Sequence, residues 1–367
     1  MLAAASAANI GCHWDIAWHR SIGRNSFWSP PHLVIYLCGV LSAIVCGYLI
    51  LGTTFRKSSY PRAATVRIWG LRGPVGTFLA AWGCLAMVTS WPFDYWWHSA
   101  YGLEMKIMNP PHALLWAGLF AIQAGALLLV AGFVNRATER SGANYRKLTN
   151  MYLYLGAMIL VLFMTLIAEY TVRPNMHSPV FYRAVAIVAP AILAGLALGT
   201  LGKWAATFAA AGYSFFYLTM LWILPLFPAT PAVGPIYSSV THMVPLEFPL
   251  LLIVPAIVLD LLYLKFEKLH RALLAIITGV VFFGIFWGAQ WSFADFLQSP
   301  EARTWVFGAH HVDFHTWPDS LYALHWYSQE EPLSPDFNNG MTLALACSIL
   351  SAWAGLAWGT WMKKIRR

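Results

Sequence analysis

The chain has 367 residues, of which 59% are apolar, 16% aromatic and only 10% charged, and its mean hydropathy is +0.59. A soluble domain carries about 25% charged residues because charge covers a water-facing surface, so this composition excludes a soluble enzyme, and its apolar content excludes a disordered chain. The net charge of +8 is dispersed over short segments between apolar runs, which excludes a nucleic-acid surface and leaves an integral membrane protein.

Apolar runs long enough to cross a bilayer lie at 32–54, 74–92, 112–134, 150–171, 180–201, 204–226, 248–264, 271–292 and 341–361. They predict an all-α, polytopic transmembrane bundle of about nine spans. The first run lacks the short apolar core and cleavage pattern of a secretory signal. Residues 1–31 are too polar to predict a tenth span.

Arg56, Lys57, Arg62, Arg67 and Arg72 follow the first run without an acid. Arg136, Arg140, Arg146 and Lys147 follow the third, Lys203 the fifth, and Lys265, Lys268 and Arg271 the seventh. The tail adds Lys363, Lys364, Arg366 and Arg367. In a nine-span alternation all these segments fall on one side, which the positive-inside rule makes cytoplasmic. The expected topology is N-terminus outside and C-terminus cytoplasmic, in the inner (plasma) membrane. The segment 293–340, rich in acids (Asp295, Glu301, Asp313, Asp319, Glu330, Glu331 and Asp336), then lies outside.

Of the twelve histidines only His270 falls in a cytoplasmic turn. His13, His19, His32, His98, His112, His177, His242, His310, His311, His315 and His325 lie in outer segments or at the outer ends of spans. Imidazole is the commonest metal ligand and a proton carrier at physiological pH, so this sidedness points to metal or proton chemistry on one face. The five cysteines show no CxxC spacing, and those within apolar runs behave as small hydrophobes.

Two outer segments repeat one pattern. The first has Asp15, Trp18-His19, Gly23 and Pro30-Pro31-His32; the second has Asp94, Trp97-His98, Gly102 and Pro110-Pro111-His112. The second copy carries one extra residue before its Pro-Pro-His, and the copies start 79 residues apart, as an internal duplication would place them. Asp and His at i and i+4 share one face of a helical turn. A Pro-Pro pair suits the first turn of the next helix and folds the second histidine back toward the first pair. A carboxylate with two imidazoles gives a three-ligand site with an open position, suited to copper, zinc or iron. The alternative is structural, with the aspartates capping helices and the histidines bonded to loop carbonyls.

The run Asp15, Trp18-His19, Arg24, Pro30 and His32 resembles the metal motif of the C subunit of particulate methane and ammonia monooxygenases, Asp-x3-His-x12-His with those accessory residues. The resemblance covers about eighteen residues per copy. It implies copper on Asp15, His19 and His32, and a looser relative of that site on Asp94, His98 and His112, where thirteen residues separate the histidines and no arginine stands at the matching place.

Further along, His310-His311-Val-Asp313-Phe-His315 reads as a second metal-ligand candidate, with His325 beyond it. Met176-His177 and Thr241-His242-Met243 place thioethers beside imidazoles, a pairing that suits Cu(I) but equally suits packing. Glu169 with Arg173 four residues on reads as an interfacial ion pair, Asp260 as a paired or snorkelled acid, and Glu247 as an acid facing an outer cavity. No Walker A, GxGxxG, GxSxG or CxxCH motif is present.

The expected organisation is a tandem-motif region with three spans (1–135), a five-span bundle (136–292), an outer His- and acid-rich loop (293–340), and a last span with a basic tail (341–367). The expected function is that of an integral membrane metalloprotein with copper-type sites at the outer face, a copper-dependent oxidoreductase or monooxygenase subunit. Such a protein requires other membrane subunits and an electron donor. The competing expectation is a non-catalytic accessory subunit with stabilising zinc or copper sites.

Overall fold

The computed structural model describes residues 1–23, 26–55, 60, 62–102, 108–138, 142–199, 203–266, 268–317 and 334–366. The chain is helical almost throughout: α1 Leu2–Ser21, α2 Pro30–Phe55, α3 Val75–Tyr101, α4 Pro110–Arg136, α5 Ala143–Leu166, α6 Pro179–Ala197, α7 Ala205–Ile223, α8 Ile253–Phe266, α9 Arg271–Gln298 and α10 Pro335–Met362. Eight helices, all but α1 and α8, are long and apolar enough to cross a membrane. Their unpaired flanks are apolar: Ile44, Leu85, Val88, Phe215 and Leu350 are each more than half exposed, a surface that suits lipid rather than water.

Two differences from the expected elements have physical causes. The run at 248–264 forms only the 14-residue α8, about 21 Å long against a hydrocarbon core of about 30 Å. Pro245 and Pro249 keep the stretch before it extended. Residues 2–21, too polar for a lipid-facing span, form the full helix α1, with Ala4, Ala5, Ala8 and Ala17 completely buried. Protein neighbours, not lipid, surround those positions.

The chain divides into two compact units. The first comprises residues 1–12, 27–162 and 360–367. Here α3 and α4 pair along glycines seven residues apart on each helix. Gly76 meets Gly125 and Gly83 meets Gly118, each against the partner's carbonyl, and a methyl group on Gly83 would stand 2.6 Å from the Gly118 oxygen. With no Cβ on either side the backbones approach to contact, the device that drives helix association where lipid removes the hydrophobic drive. Gly11 of α1 fits against Ile35 of α2 in the same manner. A two-stranded hairpin, β1 Val66–Ile68 and β2 Leu71–Gly73, turns through Trp69 and Gly70, both at positive φ, as two-residue hairpin turns require. Arg72 bonds Thr54 of α2. Asn135 donates to the carbonyls of Met362 and Ile365, tying the chain end to α4.

The second unit comprises residues 13–26 and 163–359. Ala191 and Gly195 of α6 face Gly355 and Gly359 of α10, again backbone to backbone. Asp260 of α8 accepts the Ala206 and Thr207 amides and the Thr207 hydroxyl, so it caps the N-terminus of α7, where a negative charge is favoured by the helix dipole. That bond brings the C-terminal half of α8 level with the start of α7, and Lys203 and Lys265 therefore flank the same end. The extended segment before α8 buries Val240, Met243, Val244, Leu246, Leu250 and Leu252. Its amides are satisfied by side chains: Leu250 donates to the Tyr213 hydroxyl at 3.1 Å, Leu251 to Gln290 Oε1 at 3.0 Å and Val244 to Ser21 Oγ at 2.6 Å.

Replacing Gly83 by valine is expected to separate α3 from α4 and cost about 1–3 kcal/mol, read as a lower thermal midpoint of the detergent-solubilised protein. Gly47→Ala, where a methyl group meets nothing within 4 Å, should be neutral or slightly stabilising.

Candidate metal centre

The second copy of the duplicated motif closes on itself. Asp94 and His98 stand one turn apart near the end of α3, past a proline, Pro92, that the helix accommodates internally. Pro110 and Pro111 open α4, and Asn109 caps it by accepting the His112 amide at 2.8 Å. The glycine contact between α3 and α4 then fixes how far apart the two helix ends stand. Asp94 Oδ1 lies 3.4 Å from His98 Nε2 and 3.4 Å from His112 Nε2, and one ligand atom from each residue lies within 4.8 Å of the others. A tetrahedral ion with ligand bonds of about 2.0–2.1 Å holds its donor atoms roughly 3.3 Å apart. The two carboxylate–imidazole separations match that spacing.

Two details bear on whether this cluster could hold a cation. Asp94 Oδ1 is buried and receives no hydrogen bond, a costly state for a carboxylate oxygen that a cation relieves. His98 Nδ1 stands 3.1 Å from the Gly102 carbonyl. A carbonyl oxygen accepts, so Nδ1 is the donor in that contact; Nε2 is the ring nitrogen that faces Asp94, the arrangement a second-sphere partner gives a ligating histidine. Gly102 has φ +88 with open space around it; it turns its carbonyl back onto the last turn of α3. The three side chains are each partly exposed, between 21% and 32%, so the site has an open side. Around it cluster Phe93, Trp96, Trp97 and Tyr101 in mutual ring contact.

Sequence reasoning missed Tyr36. Its hydroxyl bonds Ser90 of α3 and lies within electrostatic reach of Asp94. The signal was its spacing, four residues after His32 on α2, which places both on one helix face.

The first copy is arranged differently. Asp15 and His19 share a face of α1 with 3.9 Å between Oδ2 and Nε2, within the second unit. His32 is the third residue of α2, in the first unit. Arg24 lies outside the described residues. Among the described residues, Asp94, His98 and His112 are the one group whose ligand atoms converge.

The loop at 308–317 is not helical, so His311 and His315 do not share a helix face. Asp313 Oδ1 accepts the His315 amide at 3.1 Å and the Thr316 hydroxyl at 2.9 Å; it holds its own turn together. His310 and His311 stack at 4.1 Å, and burial, with the neighbouring His310, Arg20, Arg173 and His242, holds the His311 pKa down at about 3. His325 lies outside the described residues. Arg173 turns to the Ala309 carbonyl. Glu247 pairs with Arg20 at 3.5 Å, and the Met176 sulfur accepts from Gln290. Met243 is packed among Ala17, Met220 and Leu224. His177 meets Asp295 at 3.0 Å; burial lowers its pKa and Asp295 opposes that shift.

No family model, curated protein or solved structure matches the chain.

Asp94→Ala and His112→Ala should each weaken binding of a divalent transition metal by more than about 100-fold, measured by calorimetric titration of the purified protein with Zn(II) and Cu(II). Asp313→Ala should leave that affinity unchanged.

Proposed function

We propose that the protein is a multi-pass membrane metalloprotein whose centre is Asp94, His98 and His112, with copper as the resident metal and oxidoreductase chemistry of the membrane-monooxygenase kind. The buried, undonated Oδ1 of Asp94 at 3.4 Å from two imidazole nitrogens carries this reading. The short resemblance to the copper monooxygenase C subunit supports copper over zinc or iron. Copper bound there supplies a redox centre with a free coordination position for oxygen or a small substrate. The chain's own residues supply the geometry. Asp94 contributes the negative charge that offsets the cation, the Gly102 carbonyl holds His98 in the ligating tautomer, and the aromatic side chains give an apolar approach from the bilayer. Electrons come from a partner subunit or donor, since the chain carries no recognisable motif for another redox cofactor.

In this proposal α8 and the extended segment before it complete one further crossing, which makes nine. The cation-bearing ends, with Arg62, Arg67, Arg72, Lys203, Lys265 and Lys268, face the cytoplasm and the Asp94 site faces outward. A specific observation favours a second reading. The three ligands sit at the two ends of a single interhelical connection, where zinc or copper would staple α3 to α4 with no turnover.

Metal analysis of protein purified without chelator should find about one copper per chain at the Asp94 site, lost in Asp94→Ala, and a Cu(II) spectrum with two nitrogen ligands. Zinc in its place, with a lowered thermal midpoint on chelation and no oxygen consumption in membranes, would establish the structural reading. Absence of any metal overturns both.

A further inference from the structure

Within the first unit, α1 and α5 run side by side. Ser6 hydrogen-bonds the Tyr154 hydroxyl and Asn9 donates to the Met158 carbonyl at 3.2 Å. Between them, at the start of α5, lies an open groove of about 590 Å³ lined by Arg146, Lys147, Asn150, Met151, Tyr154 and Leu2. That volume falls within the roughly 300–1,000 Å³ of ordinary ligand sites.

The lining is graded along the helix. Arg146, Lys147 and Asn150 lie nearest the start of α5, while Met151 and Tyr154 lie up to two turns further along, about 12 Å away at 1.5 Å per residue. α5 is long and apolar enough to cross the membrane. The groove therefore starts where water meets headgroups and descends toward the hydrocarbon, changing from cationic to apolar as it goes. Neither Arg146 nor Lys147 pairs with a carboxylate among the described residues, and both are exposed. A soluble anion would satisfy the cations and leave the Met151, Tyr154 and Leu2 end of the groove unfilled; a neutral lipid would do the reverse. Only a ligand that joins a negative headgroup to an acyl chain matches both ends.

We propose that this groove binds an anionic phospholipid, with the phosphate held by Arg146 and Lys147 and the upper part of one chain against Met151, Tyr154 and Leu2. Basic pockets beside membrane helices are suited to such headgroups. The site is separate in sequence and chemistry from the Asp94 centre and does not depend on which metal, or whether any, is bound there.

The test uses the full-length protein in neutral detergent. Phosphatidylglycerol, phosphatidylcholine and inorganic phosphate are each titrated, and bound lipid is counted by native mass spectrometry alongside the thermal midpoint. Phosphatidylglycerol should be retained and raise the midpoint; the other two should do neither, and salt should weaken the effect. The double variant Arg146→Gln with Lys147→Gln should bind phosphatidylglycerol at least about tenfold more weakly while its metal content is unchanged. Equal retention of the two lipids, an effect of phosphate equal to that of the lipid, or undiminished binding by the double variant overturns the proposal. If the double variant fails to fold, the comparison of ligands on the unaltered protein still decides.

Discussion

Direct backbone contact between α3 and α4 governs the geometry on which the candidate site depends. In lipid, side-chain hydrophobicity does not distinguish a helix neighbour from a solvent tail, so association rests on close packing. Gly76, Gly83, Gly118 and Gly125 supply that by removing Cβ atoms from the seam. The contact fixes separation and register together, because a slip of one residue would drive a side chain into a carbonyl. Once the helices are locked, the last turn of α3 and the first turn of α4 have little choice of relative position. Three donor atoms on two helices can then stand within 4.8 Å of one another although thirteen residues separate the two histidines. Rigid elements hold a ligand set more accurately than loops do, and here the connecting segment carries none of the ligands.

The sequence made the local parts of this site legible. The i,i+4 relation of Asp94 and His98 follows from helical periodicity, and the proline pair announces a new helix that returns His112 to the same end. That the second copy gathers its ligands was not legible, since spacing and accessory residues make the first copy the stronger match to the known copper motif. Convergence depends on long-range packing, and the glycines that produce it lie six or more residues from the ligands and read as ordinary small residues in an apolar run. His310, His311 and Asp313 illustrate a complementary point. Density of ligand-type residues says nothing of direction, and in a short irregular turn an aspartate spends its oxygen on the nearest amides.

Span counting succeeded where a run was both apolar and uninterrupted. At 248–264 hydropathy records side chains and ignores the backbone, which prolines hold extended ahead of Ile253–Phe266. At 2–21 the small alanines of α1 fit among protein neighbours. Asp260 shows how a charge survives in such surroundings. Its carboxylate replaces water with the free amides of α7, so the acid read as paired or snorkelled is a helix cap.

The short α8 bears on how the molecule is built. A membrane-inserting apparatus accepts segments roughly one at a time, and a segment whose amides are not bonded within itself carries a penalty of several kcal/mol for each one left bare in hydrocarbon. The stretch leading into α8 meets its needs with Tyr213, which has already been synthesised, and Gln290, which has not. The polar needs of one short segment are thus shared between a helix that precedes it in the chain and one that follows it, and neither alone completes its bonding.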